Sequence, residues 1–252
     1  MLRSVLIASL LCGLASADNP SYRCESEVFM EGQKEPVHAS LTLFNERLVY
    51  DFQLGSPEEI TIYDFTRGQI NLLHPQRKQR LLLTTDDLLR VSAAYKARKS
   101  ESELFAFCTQ PKFTESFMNN QLTLTGGCLT YKTSCTQPQQ PGAELIYREF
   151  ADWSARLNAI RPGNLPPFAR LELNQALATH ELLPGKTERT TQVMWGGAKR
   201  TETIRSEHLF SWSLTAEDQR RIERARTSFA EFAPTSAEDY FQWQAEKLTK
   251  SR

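Results

Sequence analysis

The sequence predicts an α+β fold, a curved antiparallel β-sheet wound as a half-barrel-like meander with helices packed on its concave face. Three observations carry that prediction. Residues 22–84 alternate with period two between turn residues that arrive about every ten positions. The apolar spacing changes to intervals of three and four between 144 and 180, and strand patterning returns after Gly185. Sheet segments therefore flank the helical pair on both sides, and one intertwined domain over residues 18–252 accounts for them more simply than two.

The chain opens with Met1-Leu2-Arg3, an apolar run from Ser4 to Leu14 and the small residues Ala15-Ser16-Ala17. This reads as a secretory signal peptide over 1–17, too short to span a bilayer as a mature anchor. The competing reading, acylation at Cys12, wants a small side chain where Leu11 stands. Export to the periplasm or the cell exterior is expected, with a mature chain beginning at Asp18.

About six strands are expected from Tyr22 to Thr84, broken at Glu31-Gly32-Gln33, Phe44-Asn45-Glu46, Gly55-Ser56-Pro57, Thr66-Arg67-Gly68 and His74-Pro75-Gln76. In one of them Leu48, Tyr50, Phe52 and Leu54 make an apolar face opposite the mixed Val49, Asp51 and Gln53. Thr85-Asp86-Asp87 places a capping oxygen and two acids at the positive end of a helix dipole, opening a helix that runs to about Lys99. Phe105, Phe107, Phe113 and Phe117 are scattered through 101–120 with no legible period. A hairpin follows over Leu122 to Cys135, with Gly126 and Gly127 expected to supply positive backbone angles at its turn.

After a Pro- and Gln-rich connector over 136–142, Ile146, Phe150, Trp153, Leu157 and Ile160 form the strongest amphipathic stripe, ended by Pro162-Gly163. Pro166-Pro167 opens a second helix over Phe168 to His180. Two strands come next, Glu188 to Trp195 and, past Gly196-Gly197, one with Ile204, Ser206, His208, Phe210 and Trp212 on a single face. Thr215 and Asp218 start a helix carrying Ile222, Ala225, Phe229 and Phe232, and a last helix is expected over Ser236 to Leu248.

The 30 basic and 30 acidic side chains balance, and interspersed charge of this kind gives no phosphate-neutralising footprint for nucleic acid. Arg220, Arg221, Arg224 and Arg226 are interleaved with Glu217, Asp218 and Glu223, the pattern of a solvated helix face. Loss of 1–17 would leave Cys24, Cys108, Cys128 and Cys135, an even number that predicts two disulfides in an exported chain. On one extended strand Cys128 and Cys135 lie too far apart to pair, so Cys24 is expected to bond one of them and Cys108 the other. No metal site is expected, because those two cysteines have neither a CxxC spacing nor a nearby histidine.

His38, His74, His180 and His208 are dispersed, and none forms a helical ligand pair. His208 shares a strand face with Phe210 and Trp212 and reads as a hydrogen-bonded core or rim histidine. Asp51 and Asp64, on neighbouring strands, are the nearest approach to a glycosidase carboxylate pair, with a spacing that equally suits outward-facing polar residues. No nucleophile elbow, phosphate-binding loop or dinucleotide fingerprint occurs, and no cofactor is expected.

Val49-Tyr50-Asp51-Phe52, Ile60-Thr61-Ile62-Tyr63-Asp64, the runs 68–75 and 84–89, and the later 147–153 and 167–171 resemble a set of uncharacterised exported bacterial proteins over most of the mature chain. That resemblance carries no activity. In architecture alone, a strand meander interrupted by helices after a signal peptide also resembles the periplasmic lipoprotein-carrier (LolA-like) half-barrels, from which the four cysteines depart. It implies a concave apolar cavity for an acyl chain or hydrophobic peptide.

On that expectation Tyr50, Phe52, Phe210 and Trp212 line the cavity and the helix around Trp153 covers it. The predicted function is an exported, non-enzymatic protein that binds a lipid or acyl chain. The alternative is a filled core, with a sheet edge or helix face docking another envelope protein. An unrecognised hydrolase comes third.

Overall fold

The computed structural model describes residues 20–55, 58–100, 102–161, 163–195 and 198–242. The segment 1–17, the Gly196-Gly197 turn and the helix positions expected beyond 242 lie outside the described residues. A meander of six strands comes first: β1 (Tyr22–Met30), β2 (His38–Asn45), β3 (Leu48–Leu54), β4 (Ile60–Asp64), β5 (Gln69–His74) and β6 (Gln79–Thr84). Two helices, α1 (Thr85–Ala97) and α2 (Glu103–Thr109), lead to β7 (Thr114–Met118), β8 (Gln121–Thr125) and β9 (Leu129–Thr136). Then come α3 (Ala143–Ala159), α4 (Phe168–Thr179), β10 (Leu183–Trp195), β11 (Ala198–Ser211), α5 (Ala216–Glu231) and β12 (Ala233–Pro234). A helical segment at 237–242 follows.

All twelve strands belong to one curved, unclosed sheet in the order β12-β6-β5-β4-β3-β2-β1-β11-β10-β9-β8-β7. Every pair is antiparallel except β12 with β6. The α+β class is therefore as the sequence predicts. The last long strand inserts beside the first, with β11 running against β1 from Arg23 opposite Ser211 to Met30 opposite Ile204. This pairing joins the six-strand meander to the β7–β9 meander and makes the sheet continuous.

Local chemistry explains most reversals. Asn45 pairs with Leu48 across a two-residue turn in which Glu46 takes φ 58°. Asn119 and Asn120, with φ 51° and 59°, reverse β7 into β8, as short polar side chains that tolerate the left-handed region allow. This hairpin was the illegible part of 101–120. The expected role of Gly126 and Gly127 is corrected, since neither has a positive φ. Gly126 is small for another reason: a Cβ there would lie 2.1 Å from Phe107 Cζ. The cap of α1 sits one residue earlier than expected, at Thr84, whose N–H donates to Asp87 Oδ2 at 2.9 Å while its side chain accepts from Asp87 N.

Cross-strand partners share a face, so the two sides of the sheet can be followed strand by strand. The inner face carries Tyr22, Phe44, Val49, Tyr63 and Ile70 and buries them against α1, α3 and Tyr240. Farther along the same face, Leu122, Leu124, Leu129 and Tyr131 pack with α2 and α4. The outer face carries Leu43, Tyr50, Phe52, Ile62 and Leu73 and meets Ile222 and Ala225 of α5. Helices thus cover both faces, and α5 takes the Tyr50–Phe52 side that sequence patterning assigned to the concave lining.

One ion pair ties α5 down. Arg23 projects from β1 to the outer face and donates from Nη1 to both oxygens of Asp218 at 3.1 Å. Asp218 is 1% exposed and also accepts from Thr215 N at 2.8 Å, closing a capping box.

The expected disulfides are corrected: Cys24, Cys108, Cys128 and Cys135 are all free and buried. Cys24 lies near the start of β1 within the inner-face core, with its Sγ 3.5 Å from Ser26 Oγ, whereas Cys108 and Cys135 belong to the separate cluster under α2 and α4. No partner for Cys24 can be reached without moving a strand. Burial pushes the Cys24 and Cys108 thiols up to about 12. Alkylation followed by mass spectrometry should leave Cys24 and Cys108 unlabelled in the native protein and label both in denaturant without reductant. A disulfide-linked peptide in the map would overturn this.

The Arg23 pair gives a second expectation. Asp218→Ala removes the acid of the capping box and leaves the mostly buried Arg23 with only the exposed Glu25 as partner, and should cost about 2–4 kcal/mol in urea denaturation. Glu217→Ala, which breaks the exposed pairs with Arg220, Arg221 and Arg224, should leave the urea midpoint close to that of the unmodified chain.

Candidate functional site

The site is a channel between the inner face and α3. Its existence follows from two size gradients that run the same way. Along α3, the sheet-facing residues change from Tyr147 and Phe150 to Ala151, Ser154, Ala155 and Asn158. The aromatic end packs closely: Phe150 meets Phe44 edge-on at 5.5 Å and Tyr63 at 5.3 Å, and Tyr147 meets Phe210 at 5.5 Å. The small end leaves a gap over the strands, bridged at Ser154, which hydrogen-bonds Tyr63.

The sheet changes in step. Pairing registers one row of inner-face residues as Tyr22, Phe44, Val49, Tyr63 and Ile70. The next row is Phe210, Cys24, Thr42, Asp51, Thr61 and Leu72. The third is His208, Ser26, Ser40 and Gln53. Aromatic cover therefore gives way to hydroxyl, carboxyl and imidazole groups within three rows, and a cavity of about 300 Å³ opens where the small half of α3 faces the polar rows.

A second cavity of about 360 Å³ adjoins it and shares Val28, Ala155, Asn158, Arg170 and Ser206, so the two make one channel. Its further walls are more apolar, with Leu165, Pro166 and Pro167 from the α3–α4 connection facing Tyr131 and Ile204 from the sheet. Arg170 and Arg189 are its charged groups.

The polar end is held in place by hydrogen bonds. Asp51 Oδ1 accepts from Thr42 Oγ1 at 2.7 Å. Burial raises the Asp51 carboxyl, the Thr42 bond opposes that, Glu59 raises it further and Arg161 lowers it, and the outcome is a value pushed up to about 6. Glu59 is bridged on one oxygen by Arg161 Nη2 and on the other by Tyr240 OH at 2.9 Å. Those contacts lock the end of α3 and the 237–242 segment to the loop before β4. His208 Nδ1 lies 2.8 Å from Ser26 Oγ and Nε2 3.2 Å from Ser206 Oγ. Burial first and Arg170 second hold His208 down at about 3, so the ring is neutral.

The sequence-predicted lining is divided by this geometry. Tyr50 and Phe52 lie on the outer face under α5, so they cannot share a cavity with Phe210 and Trp212 on the inner face. Phe210 and Trp212 stack at 6.0 Å beside Tyr22, at the closed aromatic end. Trp153 is a partly buried neighbour of the inner core, with Arg156 4.9 Å over its ring, and does not line the channel. Asp51 and Asp64 are not a pair either. Asp51 points inward opposite Thr61, whereas Asp64 follows the inward Tyr63 and so points outward, accepting from Arg67 N at 3.0 Å.

The residues missed by sequence reasoning are Glu59, Arg161, Arg170 and Arg189. Glu59 and Arg161 sit in loops and Arg170 in the first turn of α4, where no period applies, while Arg189 lies within β10, where alternation assigns a side without saying what faces it; only the tertiary fold brings them to one channel. Asp51 carried a signal: a carboxylate alternating with Val49 and Gln53 on a strand whose other face is fully apolar. Among the described residues no cluster of metal-ligating side chains occurs, and no helix is long and apolar enough to cross a membrane. No protein-family model matches the chain, and no curated protein matches it.

Asp51 makes stability depend on pH in a defined direction. Its folded value of about 6 exceeds the ordinary 3.8, so the folded chain holds the proton more tightly; that stabilisation is complete below about pH 4 and is lost as pH rises through 6. His208 acts oppositely, since its folded value of about 3 lies below the ordinary 6.5 and its contribution is lost as pH falls from 6.5 towards 3. Asp51→Asn should therefore raise stability at pH 7 by about 1–3 kcal/mol and leave it unchanged near pH 3.5, measured as urea midpoints. An equal effect at both pH values would show that the carboxyl is not perturbed.

Proposed function

We propose that this chain is a non-catalytic binding module that takes an amphipathic, lipid-like molecule into the channel beneath α3. The observation that supports it most is the graded lining, polar around Asp51, Ser40 and Gln53 and more apolar around Tyr131, Leu165, Pro166 and Ile204. Cavities of about 300 and 360 Å³ are within the range of small-molecule sites. The carboxylates in the channel are engaged by Thr42, Arg161 and Tyr240, which suits positioning better than proton transfer. A resemblance in architecture to lipoprotein-carrier half-barrels, and a leader-like segment at 1–17, support a carrier or sensor in the periplasm or outside the cell.

One observation favours a second reading, a module that docks another envelope protein. Strand β7 is exposed at all five residues and pairs only with β8, so it offers an open sheet edge for strand addition.

Titration of the delipidated protein with a fluorescent fatty acyl probe separates the two. The channel reading expects saturable binding at micromolar concentration and a loss of about tenfold or more in Ala155→Phe, which fills the shared wall, with unchanged circular dichroism. Absence of binding to any probe would leave the edge-docking reading ahead.

A further inference from the structure

We propose that Arg170 and Arg189 form an oxyanion site in the channel, so that the amphiphile it accepts carries an anionic head such as a carboxylate or phosphate. The inference rests on the channel reading and adds the charge of the ligand to it. Arg170 comes from the first turns of α4 and Arg189 from the middle of β10, and both line the 360 Å³ cavity, whose lining contains no carboxylate. Among the described residues neither takes part in an ion pair.

Their hydrogen bonding leaves capacity for a ligand. Arg170 Nε donates to Asn174 Oδ1 at 3.1 Å, Asn174 Nδ2 donates to Asp152 Oδ1 at 2.8 Å, and the guanidinium also hydrogen-bonds Tyr147 and lowers Asp152 through its charge, yet it forms no ion pair with that acid. Arg189 Nε is buried with no hydrogen-bond acceptor. A buried guanidinium nitrogen without an acceptor is costly unless something arrives to accept from it, and a planar oxyanion matches the fork geometry of arginine. Arg170 also acts on His208, Tyr131 and Tyr147, favouring the neutral imidazole and opposing the burial that raises the two phenols. Its charge is thus felt across the channel.

The walls divide the roles. Asp51 and Glu59 stand at the other end with Arg161, so an anion is repelled there and attracted to the Arg170–Arg189 end. Leu165, Pro166 and Ile204 lie beside the arginines and offer apolar contact to the first part of a chain.

Isothermal titration of the delipidated full chain with dodecanoate, dodecyl phosphate and the neutral monododecanoyl glycerol tests this. Both anionic probes should bind about tenfold or more tighter than the neutral one, with an advantage that shrinks as salt is raised. Arg189→Gln and Arg170→Gln should remove the advantage and spare the neutral affinity, while Arg189→Lys keeps part of it. Equal affinity for all three probes in the unmodified protein would overturn the oxyanion site and leave the channel reading standing, a result that needs no variant to fold. Failure of every probe to bind would overturn the channel reading and the inference together. Inorganic phosphate competing as well as dodecyl phosphate would support the oxyanion site and overturn the lipid-like ligand.

Discussion

Three hydrogen bonds at the start of α3 set the geometry on which the rest depends. Tyr22 OH donates to Ala143 O at 3.0 Å, and Gln140 Nε2 donates to Ser21 O at 3.1 Å and to Trp212 O at 2.8 Å. They join the first turn of the helix to the start of β1 and the end of β11, the two strands whose pairing makes the sheet continuous. At the far end, Tyr95 OH donates to Ala159 O at 2.5 Å, and Arg161 holds Glu59. A helix pinned at both ends cannot settle onto the strands where its side chains become small. The void beneath it persists because these contacts satisfy polar groups that collapse would leave buried and unpaired.

The polar rows under α3 oppose the stability that surrounds them. A sheet with both faces covered gains from apolar side chains throughout, yet this one places Ser26, Ser40, Thr42, Asp51 and Gln53 inside. Asp51 is the sharpest case, because its carboxyl is driven towards neutrality by burial and held near six by competing neighbours. A group that destabilises the fold at neutral pH and lines a cavity is not explained by packing. The outer face is more apolar: Tyr50, Phe52, Ile62 and Leu73 are buried under α5, with Asn71, Asp218 and the Tyr50 hydroxyl, which accepts from Arg226 Nε at 3.0 Å, as its buried polar groups.

Much of the fold was legible because its signals are local. Six strands before Thr84, the capping pair that starts α5 and the amphipathic stretch around Phe150 rest on short-range spacing and turn chemistry. What failed was the choice of face. Leu48, Tyr50 and Phe52 form a continuous apolar face, and the rule that apolar faces point to the core is correct for them; the core they point to is simply the one under α5. With both faces of β3 buried, alternation can say which residues share a side and cannot say which helix lies over it. The stripe on α3 was misaligned for a related reason: Tyr147 and Ala151, not Trp153, hold its buried centre, because small and phenolic side chains count for little in an apolar pattern. The paired thiols were inferred from compartment and number, neither of which carries distance.

The two margins of the sheet are unlike. At one, Ala233 N donates to Lys78 O at 3.0 Å and Thr235 N to Arg80 O at 2.9 Å, with Pro234 between them offering no donor, so β6 is left with only the short run from Leu81 to Thr84 uncovered. At the other, β7 presents its full length. Growth of a stack of such sheets requires two matching margins on every copy, one to receive and one to offer. Among the described residues, only β7 offers a full-length one. Association of two copies through β7 uses up that margin on both, and the described remainder of the sheet offers only the four residues of β6 for further growth.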